Sequence, residues 1–246
     1  MTTSVPWFRI VIFMLLAILI SLPFRFALVD WPAMDLDLFG VPVLRALLEG
    51  SGPIIAVLVV TLGLRQYWRP VTFSGSSTVH ALLMLLTAPV VFTLIGVPNE
   101  TGVSPHLFGL ALGAGTIIYC LFEEAGWRGF LHNALHSWSP ARRYVLVGIL
   151  WYLWHFGFLA EGATLANQLT ALTVLIGGSF LLGKLADDTH AVAITAAFHL
   201  VVNILVFNNL ARDVPVADQL LLTAGCVVLW VPILIHWKRT KPMGQS

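Results

Sequence analysis

Eight apolar runs, most of them close to the length that crosses a bilayer, limit how this chain can fold. They cover residues 8–26, 52–64, 79–97, 106 to about 136, 144–159, 168–185, 191–207 and 216–237. The second run is short, and the apolar residues 41–48 before it extend it. A span needs about 20 apolar residues, and a helix satisfies its own backbone inside lipid. The pattern therefore predicts an all-α polytopic bundle of about eight transmembrane helices.

The composition agrees with a bundle that lies in membrane lipids. Of 246 residues, 58% are hydrophobic and 10% are charged, whereas soluble domains carry about 25% charged residues. The net charge of +1 comes without a basic stripe, so the sequence predicts no nucleic-acid partner. Both cysteines, Cys120 and Cys226, lie in apolar runs and are interpreted as small hydrophobic residues. No repeat or linker divides the sequence, which predicts a single transmembrane domain over residues 1–246.

The basic residues predict how the bundle is oriented. With eight spans, both termini share one side of the membrane, and Lys and Arg in short loops favour the cytoplasm. That side would carry Arg9, Arg65, Arg69, Arg142, Arg143, Lys184, Lys238, Arg239 and Lys241. The opposite side would carry Arg25, Arg45 and Arg212. We therefore predict a multi-pass protein of the cell membrane with both termini in the cytoplasm.

Charged and polar side chains interrupt three of the runs at membrane depth. They are Glu123, Glu124 and Arg128 in the fourth run, His155 in the fifth, and His199 and Asn203 in the seventh. An ionised group at the bilayer centre costs about 2.5–3.5 kcal/mol on insertion scales, so such groups usually face a cavity or a partner.

The spacing of these residues predicts which of them share a helix face. Glu124 and Arg128 are four residues apart, as are His199 and Asn203, so each pair projects from one face. Glu123 points about 100° away from Glu124 on a helix. We therefore expect the two acids to have different partners and different roles.

Three of these residues are predicted to meet at one depth. Glu123, His155 and His199 lie about 11 to 13 residues from the predicted cytoplasmic ends of their runs, or roughly 16–20 Å at 1.5 Å per residue. Such a group of side chains suits amide hydrolysis, because a glutamate shielded from bulk solvent can accept a proton from water. Histidines can orient that water or donate to the leaving amine, and Asn203 with His199 can hold an oxyanion. A serine or cysteine nucleophile assembled from separate runs stays open.

Three motifs in this order resemble the CAAX protease and bacteriocin-processing family of intramembrane endopeptidases, also called the Abi family. "EEAGWR" (123–128) matches its Glu-Glu-x-x-x-Arg motif, and "HLVVN" (199–203) matches its His-x-x-x-Asn motif. "WYLWH" (151–155) has Trp151 where the family usually has Phe, four residues before a histidine. That departure affects local packing and substrate shape. The motif-bearing core covers residues of about 106–207.

The resemblance implies a glutamate-dependent endopeptidase that hydrolyses a peptide bond in a membrane-associated protein or peptide. Glu123 would be the general base that activates water, assisted by His155, and His199 with Asn203 would form the oxyanion site. No cofactor is implied. In eukaryotic relatives the substrate is a prenylated protein that loses its last three residues. In bacterial relatives the roles include peptide processing and self-immunity to bacteriocins. The site would open toward the cytoplasmic side.

Other residues near the motifs are predicted to support the structure or to contact the substrate. Glu124 and Arg128 would be a supporting ion pair, and Trp127, Trp151 and Trp154 are candidates for lining a substrate groove. The glycines of the fourth and sixth runs, including Gly109, Gly113 and Gly177, are predicted to permit close helix contact. Asp187 and Asp188 are interpreted as a solvated turn.

Two alternatives to this function stay open. Glu123, His155 and His199 could together bind a divalent metal such as zinc, since zinc accepts these ligand types. Loss of activity with a chelator and its return with zinc would support this. The other alternative is a transporter or immunity scaffold without enzymatic activity. Biological function retained by a folded Glu123→Gln variant would favour that alternative.

Overall fold

The structure, a computed structural model, describes residues 5–29, 31–63, 71–155, 163–204 and 214–240. Within these ranges the regular elements are helices, and the β contacts are two isolated bridges, Leu38 with Val41 and Thr72 with Ala191. The predicted all-α polytopic fold class is confirmed.

Ten α-helices are described, and three short turns accompany them. They are α1 (Trp7–Arg25), α2 (Val43–Glu49), α3 (Ser51–Leu58), α4 (Thr78–Ile95), α5 (Pro105–Glu124), α6 (His132–Ala134), α7 (Pro140–His155), α8 (Leu165–Thr189), α9 (Val192–Val202) and α10 (Val216–Thr240). A 3-10 turn covers Pro32–Asp35, and π turns continue α3 over Val59–Gly63 and α5 over Ala125–Leu131.

Several of these helices are long and apolar enough to cross a bilayer. In the described part of the chain five helices meet this condition, namely α1, α4, α8, α10 and the continuous unit Pro105–Ala134. The pair formed by α2 and the unit Ser51–Gly63, bent by 52°, makes a sixth if it is one span. The shorter α7 and α9 occupy the fifth and seventh predicted runs. The protein is a multi-pass membrane protein, and the helix number agrees roughly with the predicted eight.

Some sequence predictions fall on parts of the chain that the structure does not describe. The predicted run ends at Leu64, Leu159 and Phe207 lie outside the described residues, as do Arg65, Arg69, Arg212 and Lys241. The predicted membrane orientation therefore stays a prediction.

Helices α1 and α7 run in the same direction. At one end, the rings of Trp7 and Trp138, which precedes α7, meet edge to face with centroids 5.6 Å apart. At the other end, Arg25 donates a hydrogen bond to the carbonyl oxygen of Trp154. This is the arrangement expected of the first and fifth spans, because both cross the bilayer in the same sense.

Two buried apolar clusters meet at the motif-bearing end of α5. One cluster is built mainly from α4, α5, α9 and α10, and the other from α1, α3, α7, α8 and the π turn after α5. Tyr119 and Phe198 pack against both clusters. Cys120 and Cys226 are free and buried within the first cluster, which confirms their interpretation as small hydrophobic residues. The glutamates at the end of α5 therefore lie between two packed halves of the bundle.

Glycines allow α4 and α5 to approach closely. A Cβ atom on Gly113 would lie 2.9 Å from the Cα atom of Pro89, and one on Gly109 would collide with the carbonyl oxygen of Phe92. The predicted close contact is confirmed at both positions. At Gly177 a Cβ atom would meet no described atom within 4 Å, so the prediction of close contact there is wrong for the described part of the chain.

Replacing Gly113 with Ala should lower the free energy of unfolding by about 1–3 kcal/mol, because the added methyl group meets backbone atoms that must separate. Gly177→Ala is the matched control. There the methyl group enters open space, and alanine favours the helix by up to about 1 kcal/mol. Thermal unfolding in detergent would measure both changes. Equal effects of the two substitutions would contradict this account of the α4–α5 contact.

Candidate active site

The first motif lies where α5 passes into a π turn. Glu123 and Glu124 are the last two residues of α5, and the π turn Ala125–Leu131 follows directly. Inside this turn a Cβ atom on Gly126 would lie 2.7 Å from the side chain of Pro53, so the turn packs closely on α3. Wide turns of this kind occur frequently at functional sites.

Glu124 forms a fully buried ion pair with Arg128. The Nη1 atom of Arg128 donates to Oε1 of Glu124 at 2.6 Å, and both side chains are 0% exposed. The Nδ1 atom of His199 lies 3.0 Å from the same oxygen, although its angles are outside those of a hydrogen bond. The pairing predicted from the four-residue spacing is confirmed, and it extends to a histidine on another helix.

Glu123 has a different set of neighbours. Its Oε2 atom accepts hydrogen bonds from the indole nitrogens of Trp127 at 3.1 Å and Trp151 at 2.7 Å. Its side chain is also fully buried, and the hydroxyl of Tyr119 is a further close neighbour. Its Oε1 atom has no described partner at full hydrogen-bond geometry. The two adjacent acids thus face different partners, as their angular separation on the helix predicts.

His155 and His199 both contact Trp151 and lie near Glu123. The Nδ1 atom of His155 donates to the carbonyl oxygen of Trp151 at 2.9 Å, which assigns Nε2 as the acceptor nitrogen of the neutral ring. The His199 ring meets the Trp151 ring edge to face with centroids 4.9 Å apart. Each histidine interacts electrostatically with Glu123. The structure therefore brings together the three residues that the sequence placed at one depth.

Helices α5 and α9 are antiparallel where they carry motif residues. The side-chain amide nitrogen of Asn203 lies 3.1 Å from Sγ of Cys120, and His199 lies beside Glu124. Four residues separate the two contacts on each helix, and the order is reversed between them. His199 and Asn203 therefore project together toward one face of α5, as their four-residue spacing predicts. An amide nitrogen carries two hydrogens, of which the contact with Cys120 uses one.

The three tryptophans predicted as groove candidates are buried. Trp127, Trp151 and Trp154 are each 1% exposed or less. The indole nitrogen of Trp154 donates to the carbonyl oxygen of Ala17 at 3.1 Å, which ties α7 to α1. Their role in lining a substrate groove stays a prediction, whereas Trp127 and Trp151 directly contact Glu123.

Arg25 is a residue near the site that the sequence did not indicate. Its guanidinium lies 3.6 Å from the centroid of the Trp154 ring and donates to the Trp154 carbonyl. It also interacts electrostatically with Glu123. A lone arginine at the end of an apolar run is typical of an interfacial anchor, and nothing in that run points to a partner on α7.

Asp187 forms a polar cluster at the end of α8. Its carboxylate accepts hydrogen bonds from His132 at 2.9 Å, from Arg143 at 2.5 Å and from the hydroxyl of Tyr144. We call these four residues the Asp187 cluster. The interpretation of Asp187 as part of a solvated turn is wrong, because the residue joins the ends of α6, α7 and α8.

Metal binding was an alternative for Glu123, His155 and His199. Among the described residues, no group of three or more histidine, cysteine, aspartate or glutamate side chains is arranged to hold a metal ion. Oε2 of Glu123 and Nδ1 of His155 are engaged by protein groups. The zinc alternative stays a prediction that a chelator tests.

Comparison with known proteins agrees with the motifs. Residues 104–205 match the family model described as type II CAAX prenyl endopeptidase Rce1-like. A curated relative, CAAX prenyl protease 2 of Methanococcus maripaludis, is 27% identical over 152 residues, which cover 55% of this chain and 54% of the relative. The chain thus spans about half the length of that relative. All six polar motif residues fall inside the matched segment, so both findings support the resemblance to the CAAX protease and bacteriocin-processing family that the motifs indicate.

Proposed function

We propose that this protein is an intramembrane endopeptidase in which Glu123 activates a water molecule. One observation carries the proposal. A fully buried carboxylate has one oxygen held by two indole groups and the other, Oε1, without a hydrogen-bond partner in the described residues. His155 and His199, which come from two further helices, interact electrostatically with that carboxylate. A general base must lie within hydrogen-bond reach of the water it deprotonates, directly or through one further water.

The proposed reaction is hydrolysis of an amide. Glu123 takes a proton as the water oxygen attacks the carbonyl carbon of the scissile bond. N–H groups of His199 and Asn203 stabilise the negative charge that develops on the carbonyl oxygen. The C–N bond then breaks, and the proton passes from Glu123 to the leaving amine, with His155 orienting the water or assisting this transfer. One water is consumed, and a carboxylic acid and an amine are formed.

Glu124 and Arg128 act as a supporting pair in this proposal. Oε1 of Glu124 lies 3.0 Å from Nδ1 of His199 and is itself held by Arg128. The charge of Glu124 favours an N–H group on that side of the His199 ring. Nε2 then donates to the substrate oxyanion when the ring carries both N–H groups, a form that the adjacent negative charge of Glu124 stabilises.

The substrate class proposed is the prenylated C-terminal segment of a membrane-associated protein. Support comes from the name of the curated relative, CAAX prenyl protease 2, and from the description of the matching family model. We place the protein in the cell membrane, and the Lys and Arg distribution supports an orientation with both termini in the cytoplasm. A site at the end of α5 would then receive substrates from the cytoplasmic side.

Cleavage of defined peptides tests the proposal. The purified protein in lipid nanodiscs would be incubated with a farnesylated peptide ending in a CAAX sequence and with the same peptide lacking the lipid. We expect release of the C-terminal tripeptide, detected by mass spectrometry, and slower release without the lipid. Loss of cleavage with a chelator and its return with zinc would favour the metal alternative. No cleavage, together with biological function that survives Glu123→Gln, would favour the non-enzymatic scaffold.

A further inference from the structure

We infer that Trp151, together with Trp127, is a positioning residue that fixes the Glu123 carboxylate and presents its Oε1 atom to the reacting water. The inference rests on the proposed function of Glu123 as the general base. It adds two side chains to the polar residues of the three motifs. It also assigns a role to position 151, where this chain has Trp and the family usually has Phe.

The first support is that both indole groups donate to the same oxygen. The distances to Oε2 are 3.1 Å from Trp127 and 2.7 Å from Trp151. The terminal torsion of a glutamate is otherwise broad, and its two oxygens exchange easily. Two donors on Oε2, with none described on Oε1, select one of these orientations. Such a restraint is what a general base needs, because a small misplacement of reacting groups is costly.

The second support is the central position of Trp151 among the motif residues. The guanidinium of Arg128 lies 4.7 Å from the centroid of its ring, and the His199 ring meets it edge to face. Its carbonyl oxygen accepts the hydrogen bond from His155. One residue thus contacts side chains from all three motifs. A phenylalanine at this position would retain the ring contacts but would lack the N–H donor.

Removal of the indole N–H alone gives the sharpest test. Benzothienylalanine, incorporated by amber suppression at position 151, keeps the shape of the ring and replaces N–H with sulfur. We expect kcat on the farnesylated peptide to fall by roughly 10- to 100-fold, the factor for losing a hydrogen bond to a charged group. We expect KM to stay within about twofold, since the group contacts the base. Trp151→Phe should give a decrease of the same order.

Trp230 provides the matched control. It is also fully buried, and its indole nitrogen donates at 3.1 Å to the carbonyl oxygen of Met84, between α10 and α4. The same replacement at position 230 removes one buried N–H hydrogen bond without touching Glu123. We expect an unchanged kcat there. A decrease in kcat at both positions, or at neither, would overturn the inference.

A spectroscopic readout keeps the inference separate from the proposed function. In protein labelled with ¹⁵N-tryptophan, the indole N–H resonances of Trp127 and Trp151 should move in the Glu123→Ala variant, while that of Trp230 should not. Unmoved resonances would overturn the inference even if the peptide is cleaved. If the wild-type protein cleaves no peptide, the proposed function fails, and moved resonances would still show that the indoles hold this carboxylate.

Discussion

Replacing Glu123 with Gln should lower kcat for peptide cleavage by roughly 10²- to 10⁴-fold, the range that general-base catalysis contributes. The amide oxygen of glutamine can still accept hydrogen bonds from Trp127 and Trp151, so the fold around the side chain should persist. The amide lacks the basicity needed to take a proton from water. Single-turnover cleavage of the farnesylated peptide, followed by mass spectrometry, would measure the loss.

Glu100 offers the control for this substitution. It lies exposed in the loop before α5, where its charge has no role in the proposed chemistry. Glu100→Gln should therefore cleave the peptide at the wild-type rate. If Glu123→Gln retained a rate within a few-fold of wild type, another group would have to be the base.

Replacing Arg128 with Ala should destabilise the protein by roughly 3–5 kcal/mol, the cost of breaking a buried ion pair from one side. The change leaves Glu124 charged, fully buried and without the donor that lies 2.6 Å from its oxygen. It also removes the cation from the face of the Trp151 ring. We expect a large decrease in the yield of folded protein, measured by size-exclusion chromatography in detergent.

Two variants show whether the unpaired charge causes this loss. The double variant Glu124→Met/Arg128→Met removes both charges and should recover much of the folded protein, because apolar residues often replace a buried pair at little cost. The exposed pair Lys184–Asp188 has the same four-residue spacing, and Lys184→Ala should leave the yield unchanged. An equal loss for Lys184→Ala would show that burial is not the cause.

Much of the fold and of the motif geometry could be predicted because it follows from helix periodicity and membrane thickness. Spacing alone predicted the pair of Glu124 with Arg128 and the different direction of Glu123. Counting residues from the ends of the runs predicted that His155 and His199 would come near Glu123. These predictions required only that the runs are regular helices and that they cross the same bilayer.

The remaining features depend on how particular helices rotate and pack, which no single run encodes. The indole donors of Trp127 and Trp151 reach Glu123 because a π turn and α7 present them toward it. The contact between Arg25 and Trp154 depends on the pairing of α1 with α7, about 130 residues apart in sequence. The interpretation of Asp187 as solvated failed for the same reason, since its partners come from two other segments.

The π turn after Glu124 also determines which changes in chain length the protein can accept. It ends at Leu131, and the next residue, His132, belongs to the Asp187 cluster. Deleting one residue from 129–131 would tighten the wide turn into ordinary α-helix. Because the wide turn holds one residue more than the α-helical turn it replaces, the chain after it would keep nearly the same rotation relative to the glutamates. A one-residue deletion there should thus keep His132 directed toward Asp187, whereas the same deletion inside α5 would rotate the residues before it by about 100° relative to the glutamates. Gaps in the π turn should therefore be tolerated better than gaps in α5.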